Sequence, residues 1–161
     1  MQDWAVSTGR ADELGRLYEE HRDRLWRGVY AVCGNPDIAS DAVAEAFAQA
    51  LRRGDAIRDP LAWVWRAALR IAAGELKDRS RRMMAEAAEE AYEMPADGRG
   101  LIDELSRLSP KQRAALVLRY YEGYSTREIA EIIGSTAAAV RVHLSVGRRR
   151  LRDMLGGRDD A

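Results

Sequence analysis

The chain predicts an all-α protein, built as two small helical domains joined by a flexible acidic linker. Three observations carry this. Ala, Leu, Arg and Glu dominate while Val, Ile and Thr are sparse, and no segment alternates with period two for long. Apolar residues recur instead at spacings of three and four. Between the helical stretches lies "EAAEEAYEMPADGRG" (86–100), strongly acidic and closed by a Pro and two Gly, which reads as a tether.

A first helix is expected over about Asp12–Cys33, with Leu14, Leu17, Leu25, Val29 and Val32 as its stripe. "GNPD" (34–37) ends it, and Pro36 suits the first turn of a second helix running to about Arg53. That helix carries Ile38, Ala42, Val43, Ala46, Phe47, Ala50 and Leu51 on one side. "GDAIRDP" (54–60) is a loop, and Pro60 opens a third helix through about Arg82. The second domain begins near Leu101 with the short helix "LIDELSRL". Ser109 then serves as N-cap and Pro110 as the first residue of a helix from Lys111 to about Glu122.

"STREIAEIIGSTAAAVRVHL" (125–144) follows. Ser125 and Glu128 form a capping box, Ile129, Ile132 and Ile133 give an apolar face, and Gly134 fits a left-handed helix end. The next helix buries Val140, Leu144, Gly147 and Leu151, leaving Ala138, Arg141, Val142, Ser145, Arg148 and Arg149 opposite. This is a helix-turn-helix whose second member suits a major groove, bases toward its start and phosphates further on. Arg141 is the leading base reader, with Thr136 and His143 in support; the three alanines can contact little beyond thymine methyls.

Charge distribution says more than total charge. Lys+Arg and Asp+Glu each number 26, for a net charge of zero. Yet Arg66–Arg82 carries +4, Met83–Glu104 carries −6, and Arg141–Arg152 holds five Arg and no acid. Two basic patches separated by an acidic stretch point to nucleic acid. In the third helix, Trp63 and Trp65 are two residues apart and cannot share a face. One is expected inside, the other at the surface with Arg66 and Arg70, the chemistry that holds unpaired bases.

Other classes find little support. The lone Cys33, in an apolar helical stretch, reads as a buried structural thiol. His143 has only His21 for company, so no metal site is expected, and no cofactor either. No phosphate-binding Gly loop or nucleophile–base pair suggests an enzyme. No apolar run reaches the ~18 residues of a membrane span, so no membrane insertion is expected. The N-terminus lacks signal-peptide order, and the expected compartment is the cytoplasm.

In the order and spacing of these segments, from about Leu14 to Leu155, the chain resembles the extracytoplasmic-function (ECF) sigma factors of bacterial RNA polymerase. "LYEEHRDRLWRGVYAVCGNPDIASDAVAEAFAQAL" is similar to the family's first two helices, where D-x-V-x-E-A-F marks the clamp-docking surface. The resemblance thus implies Asp41 and Glu45 as polymerase contacts, with Phe47 in the core. "DPLAWVWRAALRIAAGELKDRSRR" resembles the segment that melts and reads the −10 element, implying Trp63, Trp65, Arg66 and Arg70. "LSPKQRAALVLRYYEGYSTREIAEIIGSTAAAVRVHLSVGRRRL" resembles the domain that binds the −35 duplex and touches the polymerase flap. That implies Thr136, Arg141, His143, Ser145, Arg148 and Arg149. The implied layout is a region 2-like domain over 10–82, a linker over 83–100 and a region 4-like domain over 101–156. Implied partners are core RNA polymerase (clamp and flap), promoter DNA and an anti-sigma factor.

The sequence departs from the family pattern at Ala44 (Gln is usual), Arg70 (Asn), Gly74 (Asp), Ala139 (Thr), His143 (Arg) and Val146 (Arg). The last three predict fewer phosphate anchors and weaker −35 binding. Two other readings stay open at the level of sequence: a duplex-DNA regulator acting without polymerase, and a sigma-like protein that titrates a partner.

Overall fold

A computed structural model describes the backbone of residues 3–85 and 99–156, and the side chains of 8–82 and 100–156. The centre of the expected linker, 86–98, lies outside the described residues. Within them the fold is entirely helical, without strands.

α1 (Asp3–Cys33) begins earlier than its apolar stripe suggested. A tertiary anchor accompanies the extra turns. Arg10 pairs with Glu13 at 2.7 Å, reaches Asp55 at 3.3 Å, and donates to the carbonyl of Ile57 at 3.0 Å. α2 (Pro36–Arg53) starts as expected, with the Asn35 side chain accepting from the Ile38 amide at 3.0 Å and Pro36 in the first turn. A short 3₁₀ turn (Gly54–Ala56) leads to α3 (Pro60–Ala85), where the Asp59 carboxylate accepts from the Ala62 amide.

These three helices enclose Leu14, Leu25, Val29, Ile38, Phe47, Val64 and Trp65. Leu51 departs from expectation. It sits in the last turn of α2, 54% exposed, while Ala39 takes a buried position instead. Gly28 lets α1 approach α3 closely, because a Cβ there would fall 2.2 Å from Cη2 of Trp65.

The second half comprises α4 (Arg99–Ser106), α5 (Pro110–Leu116), a π-helical turn (Val117–Tyr121), α6 (Thr126–Ile133) and α7 (Ala137–Gly156). Both expected caps form. Ser109 and Gln112 make one capping box, and Ser125 and Glu128 the other. Gly134 adopts φ 65°, ψ 49°, the left-handed conformation that lets α6 end abruptly. The chain then bends by 100° into α7, within the range of helix-turn-helix units. Leu116, Leu118, Ile129, Ile132, Val140 and Leu144 form the core, and Gly147 lies against Leu116.

The two halves do not stand apart. α1 packs on α4, α5 and the π-helical turn, and α3 packs on α6. Arg24 of α1 fastens the contact. It bonds Glu122 at 2.5 Å, donates to the Tyr121 carbonyl, and lies 4.7 Å from the Tyr121 ring centre.

Candidate nucleic-acid interfaces

On α7, packing of Val140, Leu144 and Gly147 turns the opposite side outward. Ala138, Arg141, Val142, Ser145, Arg148 and Arg149 are all exposed there. His143 is half-buried on the flank. Thr136 caps the helix, its Oγ1 accepting from the Ala139 amide at 3.1 Å, which fixes where α7 starts. Arg148 is less free than expected. Its guanidinium donates to the Tyr120 hydroxyl at 2.7 Å and borders an apolar groove beside α7. That groove, about 570 Å³, is walled by Leu101, Leu116, Tyr120, Leu151 and Leu155, with Arg152 also on its rim.

On α3, one tryptophan faces in and the other out. Trp65 is wholly buried at 0% exposure and cannot meet a base, which removes it from the expected −10 contacts. The reason is steric: its ring fills the space that Gly28 leaves on α1. Trp63 is half-buried and lines a concavity of about 200 Å³ with Arg53, Arg66 and Arg70. The Arg53 guanidinium stands 5.9 Å from the Trp63 ring centre. Sequence reasoning missed Arg53. It belongs to the last turn of α2, and only the α2–α3 packing brings it to Trp63. Arg70 is steered by a long contact to the Gln49 side-chain oxygen, 3.5 Å.

This basic, aromatic face also looks onto the other domain. Trp63, Arg66 and Asp59 share a cleft with Tyr124, Glu128, Glu131 and Ile132 of the helix-turn-helix half. Tyr124 titrates unusually there, its pKa pushed up to about 12, chiefly by burial and further by Glu122, Asp59 and Glu128.

α2 presents a third surface. Asp41, Ala44 and Glu45 are exposed along it. Glu45 accepts from Gln49 at 3.0 Å and from Arg52 at 2.8 Å, and these bonds, Gln49 foremost, hold its carboxyl below the usual range. Phe47 is in the core, edge-on to Tyr18 at 5.0 Å. Cys33 is buried and donates to the Asn35 carbonyl at 3.3 Å; burial raises its pKa and suppresses thiolate chemistry. Among the described residues, no three His, Cys, Asp or Glu side chains gather as metal ligands, and no single helix is long and apolar enough to cross a membrane.

Comparison with known proteins matches this geometry to a family. The model for sigma-70 region 2 matches residues 17–82, and that for sigma-70 region 4 matches 99–151. The ECF RNA polymerase sigma factor BldN of Streptomyces coelicolor is 30% identical over 152 residues, covering 84% of this chain and 58% of BldN. The RNA polymerase sigma-E factor of the same organism is 30% identical over 160 residues, covering 94% of this chain and 90% of that protein. The fold is shared with the sigma factor RpoE of Bartonella quintana, solved with the anti-sigma factor NepR. The TM-score is 0.77 at 21% identity, covering 89% of this chain and 97% of that one. Mycobacterium tuberculosis SigJ superposes with a TM-score of 0.61 at 27% identity, covering 84% of this chain and 52% of SigJ. With both sigma regions matched in order and a relative aligned over nearly the full length of each chain, this protein belongs to the ECF group of RNA polymerase sigma factors.

Proposed function

We propose a division of labour in which this initiation factor holds duplex DNA with one domain and unpaired DNA with the other. The observation that carries it is a conjunction on one chain. A Trp63–Arg53–Arg66–Arg70 concavity lies between α2 and α3, and α7 is an outward-facing recognition helix. A stacked base is worth about 1–3 kcal/mol, so Trp63 among arginines suits the melted −10 strand. Arg141, Ser145, Arg149 and Thr136 address the −35 duplex, with His143 and Arg148 on the flanks. Region 2-like work is assigned to 10–82 and region 4-like work to 101–156, with 83–100 between them.

Asp41 and Glu45 on α2 face the polymerase clamp, and the apolar groove beside α7 docks on the flap. The chain has no catalytic chemistry of its own; polymerase supplies it. The setting is the cytoplasm, where the DNA is. An anti-sigma partner is part of the proposal, since RpoE was solved with NepR. A duplex-only regulator would have no use for the α3 concavity, and a protein that merely titrates a partner would need neither DNA surface.

The packed arrangement is not the promoter-bound one. The two elements lie some 25 base pairs apart, roughly 85 Å at 3.4 Å per pair. A compact chain of this length has a radius of gyration of only about 15 Å. The domains therefore separate on the promoter, within the reach of at most about 50 Å that the chain from Ala85 to Arg99 allows.

The test is run-off transcription with purified core polymerase on promoters from the same genome. Promoter-specific transcripts dependent on the chain are expected. No transcript on any of them, with the chain alone footprinting duplex DNA as a dimer, would overturn the proposal.

A further inference from the structure

Recognition helix α7 turns an apolar strip outward where a reader of hydrogen bonds would carry polar side chains. Ala138 and Val142 lie one turn apart and both are exposed, Val142 at 59%. Of the other large exposed apolar residues in this half, Leu101, Tyr120 and Leu155 gather at the groove beside α7, whereas Val142 is not part of it. Along α7 from the strip onward the charge is cationic, with five arginines and no acid between Arg141 and Arg152. That combination, an apolar centre in a phosphate-attracting field, fits the floor of a major groove.

Only one base presents a methyl group there. The 5-methyl of thymine is met by apolar side chains, whereas the other groups of the major-groove edges call for donors or acceptors. Valine is suited to that contact. Its two methyls sit directly on Cβ, its χ1 is stiff in a helix, and it has nothing to offer a hydrogen-bonding edge. Arg141 precedes it on the same exposed surface and is the one long donor at that level of the helix.

We propose that Val142, seated beside Ala138, selects a thymine in the duplex element through its 5-methyl group, while Arg141 addresses a neighbouring guanine or phosphate. The inference rests on the sigma-factor reading of α7 and names the base feature that the helix recognises.

Holoenzyme assembled from core polymerase and the full chain is used to select duplex promoters from a randomised library. Each thymine of the upstream element is then replaced singly by uracil, which deletes only the methyl. Wild type should lose roughly three- to fivefold in affinity at one position, the worth of one buried methyl. Val142→Ala, whose lone Cβ reaches less far than the two methyls of valine, should narrow the thymine–uracil difference at that position, and Val142→Ile should keep it. As Val142 is exposed, unchanged thermal midpoints verify the fold of both variants. Uracil tolerated at every position, or Val142→Ala weakening thymine and uracil promoters alike, overturns the proposal while specific initiation leaves the sigma reading intact. If the holoenzyme selects no DNA, the sigma reading fails and the proposal with it.

Discussion

Gly28→Ala separates helix propensity from packing, because the two effects have opposite signs. In the middle of α1, replacing Gly by Ala adds about 1 kcal/mol of helix stability on propensity alone. The structure reverses that. A Cβ at position 28 would lie 2.2 Å from Cη2, 3.0 Å from Cζ3 and 3.3 Å from Cζ2 of Trp65. Carbon atoms pack at about 3.5–4.0 Å, so the ring would have to retreat by about 1.5 Å. Trp65 is at 0% exposure, so its ring has no open space at the surface to retreat into. Overpacking costs about 1–3 kcal/mol, and a clash this deep belongs at the top of that range. The net is a loss of about 2 kcal/mol, or a midpoint lowered by roughly 4–8 °C for a chain of this size. Gly15→Ala on the same helix is the control, since that residue is exposed and its Cβ meets nothing within 4 Å. It should raise the midpoint by roughly 2–4 °C. Calorimetry reads both. Adding Trp65→Phe, which removes the clashing ring atoms, should make the double variant more stable than the sum of the singles by about 1 kcal/mol or more. A Gly28→Ala midpoint at or above wild type, or strict additivity with Trp65→Phe, would refute the reasoning.

The paired tryptophans should behave differently. Trp65→Ala should cost about 3–5 kcal/mol of stability. Trp63→Ala should keep a folded, cooperative chain yet lose promoter opening, read as permanganate reactivity of unpaired thymines; equal loss of fold in both would remove the stacking role. Tyr124 gives a pH signature. Its folded pKa of about 12 lies above the ordinary 10.0, so the stability from keeping the phenol neutral is complete below pH 10 and is lost as pH rises through 12. Urea midpoints of Tyr124→Phe should accordingly fall less than wild type between those pH values, and parallel curves would count against the burial. Arg24→Ala removes the bonds to Glu122 and Tyr121 that fasten the halves. Spin labels at positions 51 and 153, both exposed, should then report a larger open population, and an unchanged distance distribution would mean that other contacts hold the domains.

What was legible in the sequence was local. Asn35–Pro36, Ser109–Pro110, Ser125–Glu128 and Gly134 each act through bonds within one helical turn, and each formed where the residues placed it. The apolar stripes of α1, α6 and α7 were legible for the same reason, as was the ordered resemblance to the sigma-factor family. The outward side of α7 followed directly from its buried one.

Tertiary packing decided what depends on a partner helix. Periodicity required Trp63 and Trp65 to diverge, but the gap at Gly28 on α1 drew Trp65 inward and left Trp63 beside Arg53. Leu51 fits a stripe on paper, yet in the last turn of α2 it is left 54% exposed. Arg148 keeps its place on the exposed side of α7, but only packing of the π-helical turn brings the Tyr120 hydroxyl to its guanidinium. The docking of the halves through Arg24 and Glu122 joins residues 98 positions apart. Patterns within a few residues fix where helices start, stop and turn their apolar sides. Which side chain fills which gap depends on how those helices cross, and that is settled only when the whole set packs.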